Sequence, residues 1–402
     1  MKIEMIKIDS IKQAQELIKS TGADEISVPL MDKKTLNLSF KIYGCKFYYA
    51  NLLKQEAISV GADCAISKHA ITAKVEYSDC LLFGNVKSLL ALSERLKRQS
   101  FLYLNELGKT LGKFLSKYFE SDYIFQANRK IYNLKDRFAI MGILNVTPDS
   151  FFDGGKYNSI DSALKRAEQL IEEGLDIIDI GGESTRPGAD AVDIDEELRR
   201  VVPVIEAIKK RFKDTAVSID TYKSKVAKEA IEAGADIVND ISGLSFDEKM
   251  VDLLSSNECG IVAMHIKGKP KNMQKHPKYE HLIYEINSKF DAILNKIKEY
   301  GIDDKRIVLD PGIGFGKAYL DNLTILNNIN SFKIFGRPIL IGASRKSFIG
   351  AILDNDPDER LYGSLAAHIS AFINGASIIR THDVKATKEA LKVAESITKE
   401  RL

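Results

Sequence analysis

Between residues 138 and 384 the chain alternates eight times between a short apolar run and a longer amphipathic stretch. That alternation leaves two architectures, an open doubly wound sheet or a parallel sheet closed into a barrel. The runs end in Ile143-Leu144-Asn145, Ile178-Asp179-Ile180-Gly181, Ser218-Ile219-Asp220, Ile237-Val238-Asn239-Asp240, Val262-Ala263-Met264-His265, Val308-Leu309-Asp310, Leu340-Ile341-Gly342 and Ile378-Ile379-Arg380. They are mostly continuous in apolar residues, as parallel strands covered by helices are. The stretches 162–173, 196–211, 224–233, 247–256, 282–300, 321–329, 361–374 and 385–399 have helical spacing, and several close at Gly174, Gly234, Gly301 or Gly375, where a left-handed residue ends a helix. Eight such units in about 250 residues favour closure, so the expected fold is a (β/α)8 TIM barrel.

A chain of 402 residues exceeds what the barrel needs. The expected organisation is a small α/β module over 1–135 followed by the barrel over 136–402. In the module, helices are expected at 6–19, 47–60, 86–99 and 102–119, and a strand at 80–83. The module carries no phosphate loop, acidic cluster or basic stripe, which leaves packing or oligomerisation as its expected role. With 58 basic and 56 acidic residues the formal charge is +2, too small and too mixed for a nucleic-acid surface. Four cysteines lack paired CxxC spacing, and no apolar run approaches a membrane span. A soluble cytoplasmic protein with no membrane or nucleic-acid partner is expected.

A barrel of this kind places its active site at the C-terminal ends of the strands, and the polar residues gather there. Asp220, Asn239 and Asp310 follow strands three, four and six; buried carboxylates need an answering group, either a ligand edge rich in N–H donors or a neutralising Lys346 or Arg345. Arg380 and His382, two apart, share one side of an extended backbone and with Asn145 and Arg186 would surround an anion such as a diphosphate. The alternative for His382 is a hydrogen-bonded structural histidine. Asp149 and Asp153 lie on a loop with Phe151 and Phe152, whose rings a simple turn has no reason to carry. The segment from Gly312 to Lys317 lacks the spacing and hydroxyl of a phosphate loop, and His265, His276 and His281 lack metal-site spacing.

Seven segments, in order, carry a resemblance: Gly142 to Phe151, Gly181 to Gly188, Ser218 to Thr221, Asn239 to Gly243, Asp310 to Lys317, Ser344 to Ser347 and Arg380 to Val384. With these, the region from about 138 to 397 closely resembles the dihydropteroate synthases. The resemblance implies a transferase that condenses 6-hydroxymethyl-7,8-dihydropterin diphosphate with 4-aminobenzoate in folate biosynthesis. It implies a pterin pocket of Asp220, Asn239, Asp310 and Lys346, and a diphosphate site of Asn145, Arg186, Arg380 and His382 with Mg²⁺ on Asn145. Asp149 and Asp153 would enter on the first loop, and Phe151, Thr185, Pro187, Phe315 and Ser347 would frame the 4-aminobenzoate. Asp220, Lys346, Arg380 and His382 would be the catalytic set, in a homodimer open to sulfonamides. Phe152 stands where the family usually has a small polar residue. A folate-dependent methyltransferase would share the carboxylates but has no need of Arg380, His382 and Lys346 together; a silent pterin-binding scaffold is the reading from a different class.

Overall fold

The structure, a computed structural model, describes residues 2–135, 137–146, 156–184, 188 and 191–399. It divides into two compact units, Met1–Glu120 with the last few residues, and Ser121–Thr398.

In the first unit, strands Asn37–Lys46 (β1), Asp63–Ala65 (β2) and Tyr77–Asn85 (β3) form an antiparallel sheet in the order β1-β3-β2. Helices Phe47–Ser59, Val86–Lys97 and Leu102–Glu120 supply Leu53, Leu89, Leu92, Leu96, Leu104 and Leu115 to its core. The first helix starts at Ile11, later than its apolar residues suggest, because Ser10 Oγ accepts the Gln13 N–H at 3.1 Å and caps it there. Helix Val28–Thr35 and strands β1 and β2 were not expected from the sequence. In β1 the signal is present: Leu38, Phe40 and Ile42 alternate with more exposed residues.

The second unit opens with a hairpin, Ile124–Ala127 (β4) and Lys130–Asn133 (β5), which the sequence reading assigned to the N-terminal module. Eight parallel strands follow: Ala139–Asn145 (β6), Ile177–Gly181 (β7), Ala216–Asp220 (β8), Ile237–Asp240 (β9), Gly260–Met264 (β10), Ile307–Asp310 (β11), Leu340–Ile341 (β12) and Ile378–Thr381 (β13). Hydrogen-bonded neighbours run β11-β10-β9-β8-β7-β6-β13-β12. The ring closes where Leu309 N–H donates to Pro338 O at 3.0 Å, so the barrel is realised. The four expected glycines all have φ between +68° and +108°, which glycine adopts without a Cβ penalty.

Tyr123, Phe125, Tyr132 and Leu134 of the hairpin region pack against Met141, Ile177, Ile237, Val262, Val308, Leu340 and Ile378 at the N-terminal ends of the strands. The hairpin thus plugs the barrel floor. A Cβ at Gly260 would lie 2.6 Å from Phe125 Cζ, so β10 begins with a residue that leaves the ring its space. Gly260→Ala is expected to destabilise the chain by at least about 1 kcal/mol through overpacking; an unchanged urea midpoint would refute this account of the plug.

Candidate active site

Side chains alternate along a strand, so residues two beyond the floor layer point into the barrel again, higher up. From Ile177, Ile237, Val308 and Ile378 the step of two reaches Asp179, Asn239, Asp310 and Arg380; from Ala216, two steps reach Asp220. The barrel therefore changes from an apolar floor to a charged mouth within one turn of the pleat.

Arg380 stands at the centre of this mouth. Its Nε donates to Asp179 Oδ2 at 2.6 Å and its Nη2 to Asp220 Oδ2 at 2.7 Å, while Asn239 Nδ2 donates to Asp179 Oδ2 at 3.1 Å. Asp179 Oδ1 and Asp220 Oδ1 are buried and have no partner among the described residues, a costly arrangement in a site without a ligand. Asp310 Oδ1 accepts the Gly312 N–H at 2.7 Å, and the Lys346 ammonium lies 4.2 Å from the Phe315 ring centroid. The Gly181 Cα region lies beside both Asn145 Oδ1 and Asp220 Oδ2, 3.6 Å and 3.9 Å from where a Cβ would stand, which places the Asn145 amide at the edge of the mouth. His382 Nδ1 meets Ser344 Oγ at 3.0 Å.

Burial raises Asp310 to about 6 against the pull of the Gly312 N–H and Lys346. It likewise raises Asp220, opposed by Arg380 and Lys346. Burial pushes Lys346 down to about 8 and His382 to about 3, the neighbouring Arg380 adding to both. His382 is therefore a neutral hydrogen-bonding group at pH 7, and the mouth's fixed positive charge rests on Arg380 and Lys346.

The model of the pterin binding enzyme family matches residues 141–382. The dihydropteroate synthase of Synechocystis sp. is 43% identical over 281 residues, 69% of this chain and 97% of its own. A Yersinia pestis dihydropteroate synthase solved as a sulfonamide drug complex is 42% identical with a TM-score of 0.65, over 69% of this chain and 99% of its own. That of Burkholderia cenocepacia, complexed with 7,8-dihydropteroate, is 40% identical with a TM-score of 0.63, over 70% and 98%. The chain belongs to the dihydropteroate synthase family. A probable bifunctional folylpolyglutamate synthase/dihydropteroate synthase of Halobacterium salinarum is 39% identical over 351 residues, 86% of this chain and 41% of its own. That span is longer than the barrel unit, so the likeness takes in much of the N-terminal unit.

Of the residues expected from the dihydropteroate synthase resemblance, Asp220, Asn239, Asp310, Lys346 and Arg380 converge at the mouth, and Asn145 reaches its edge. Phe315 lies under Lys346, and Ser347 is exposed at the start of helix Ser347–Leu353. Asp149, Phe151, Phe152, Asp153, Thr185, Arg186 and Pro187 lie outside the described residues. One reading needs correction. Arg345 does not neutralise Asp310: its guanidinium binds Asp383 at 2.7 Å and 3.2 Å, and Asp358 at 3.0 Å. Arg380 is held by two carboxylates at the mouth. His265 Nδ1 meets the buried Lys317 Nζ at 3.0 Å. Asp179 was missed as a site residue, although its place two residues beyond the inward Ile177 marks it as facing the mouth.

Because a carboxylate must be ionised to accept two donors, binding of the dihydropterin is expected to weaken as pH falls through the Asp310 value of about 6. Going from pH 7 to pH 5 leaves roughly a tenth of such a group charged, and affinity is expected to fall about tenfold. Calorimetry across that range checks it, and an affinity that is flat or rises on acidification would contradict the assignment.

Proposed function

We infer that the barrel mouth condenses 6-hydroxymethyl-7,8-dihydropterin diphosphate with 4-aminobenzoate, giving 7,8-dihydropteroate and diphosphate. The observation that carries this reading is the pair of carboxylates that clasp Arg380 while each keeps a buried oxygen with no partner among the described residues, beside Asn239, Asp310 and Lys346. An aminopyrimidinone edge presents adjacent N–H donors, which is what such oxygens accept.

Breaking the C–O bond leaves negative charge on diphosphate and positive charge on the pterin methylene. Asp220 and Asp310 supply the negative field for the methylene; Arg380 and Arg186 meet the diphosphate, with neutral His382 as a hydrogen-bonding partner. The aryl amine then forms the C–N bond, and its surplus proton leaves with the products. Asp149 and Asp153 enter on the first loop, and Phe151, Thr185, Pro187, Phe315 and Ser347 hold the amine, so no protein nucleophile is needed.

Mg²⁺ belongs to this reading. Such an ion takes few protein ligands when a diphosphate supplies the rest, and the Asn145 amide oxygen at the mouth fits that need. No group of three His, Cys, Asp or Glu able to hold a metal occurs among the described residues. The ion, when bound, would neutralise charge on the leaving group. The reading also includes a cytoplasmic homodimer, as the family resemblance implies, and sulfonamides as competitors of 4-aminobenzoate, supported by the Yersinia pestis relative's drug complex. Among the described residues no helix is long and apolar enough to cross a membrane.

The test is dihydropteroate formation by the purified full chain with each substrate omitted in turn, with and without Mg²⁺. Product that needs both substrates and falls at least ~10-fold on chelation is expected; tight pterin binding with no product would favour the silent scaffold instead.

A further inference from the structure

The turn after β11 is held by an unusual clasp. Its Gly312, Gly314 and Gly316 all have positive φ, and a Cβ at Gly312 or Gly316 would lie 2.1 Å from the carbonyl oxygen of His265 or Lys267. The turn therefore lies directly on the segment after β10. Three successive carbonyls of the turn are each taken by a side chain: Gly314 O by Gln274 Nε2 at 2.5 Å, Phe315 O by Lys317 Nζ at 3.0 Å, and Gly316 O by Tyr279 Oη at 2.7 Å. Lys317 Nζ also donates to His265 O at 3.2 Å and meets His265 Nδ1 at 3.0 Å. Lys317 is only 2% exposed and forms no carboxylate ion pair among the described residues. Burial pushes this amine down to about 7 against the pull of Asp310 and Asp321; keeping it there is costly, and simple packing would favour an apolar side chain. A cleft lined by Gln274, Lys317, Asn322, Ser347 and Phe348 opens beside it, so Lys317 borders the same cleft as Ser347, the residue assigned to the aryl amine.

We propose that Lys317 is a positioning residue for the 4-aminobenzoate half of the reaction: by tying Phe315 O to His265 it sets the Phe315 ring between Lys346 and the amine. The inference rests on the synthase reading above. Lys317 touches neither substrate; it acts through Phe315.

Steady-state kinetics of Lys317→Met, Lys317→Arg and Gln274→Ala test it. Lys317→Met is expected to raise KM for 4-aminobenzoate at least ~5-fold while KM for the dihydropterin diphosphate stays within ~2-fold, a split that general loosening of the barrel would not produce. Lys317→Arg restores part of the loss by keeping the cation. Gln274→Ala, which removes the neighbouring exposed tie, shows the same split at smaller size, and it decides alone if Lys317→Met does not fold. An unchanged KM for the amine, or equal rises for both substrates, would overturn the proposal. A wild-type chain without turnover would instead sink the synthase reading, and this inference with it.

Discussion

Replacing Arg380 by alanine is expected to lower turnover at least ~100-fold, the effect of losing about 2.7 kcal/mol of transition-state stabilisation. The structure adds a second consequence. Asp179 is fully buried and Asp220 nearly so, and both give an oxygen to the same guanidinium. Without it, two carboxylates share a low-dielectric site, and the fold is expected to lose ~3–5 kcal/mol unless one takes up a proton. Arg380→Lys separates the two effects, because an ammonium keeps the charge but cannot span both carboxylates as a planar fork does. Stability should then recover more than turnover. Kinetics within threefold of wild type for the alanine variant would remove Arg380 from the diphosphate site, and an unchanged urea midpoint would refute the clasp.

Asp310→Asn is expected to weaken dihydropterin binding by ~1.5–3 kcal/mol, roughly tenfold to 150-fold, through loss of a charged acceptor. The substitution is informative because it spares the surroundings. An asparagine oxygen still accepts the Gly312 N–H that Asp310 Oδ1 takes at 2.7 Å, so the glycine turn should hold its shape. Lys346 loses one of the two carboxylates that oppose its desolvation, the other being Asp220, so its ammonium should titrate at lower pH in the variant. Titration calorimetry on the variant gives the affinity directly. An unchanged value would assign the pterin to Asp179 and Asp220 alone.

Local pattern was enough for the barrel. Each strand is a short apolar run and four of the helices close on a glycine with positive φ, and both signals act over a few residues. Period two also marks Asp179, two residues beyond the inward Ile177, as facing the mouth. The hairpin 124–133 was not legible in this way, because it has no helical or barrel-strand period. Its role as a plug depends on eight strand ends meeting it from across the chain.

The sequence by itself determined the closed barrel, the family, and most of the residues at the mouth, since strand-end placement follows from alternation and chain order. Only the tertiary structure decided who partners whom. Arg380 joins Asp179 and Asp220 across 201 and 160 residues, Lys317 reaches back 52 to His265, and Arg345 turns away to Asp383 although it is next to Lys346. The reason is physical: closing the barrel brings distant strand ends within hydrogen-bond reach, and in that buried space each charge takes the partner that best offsets its lost hydration.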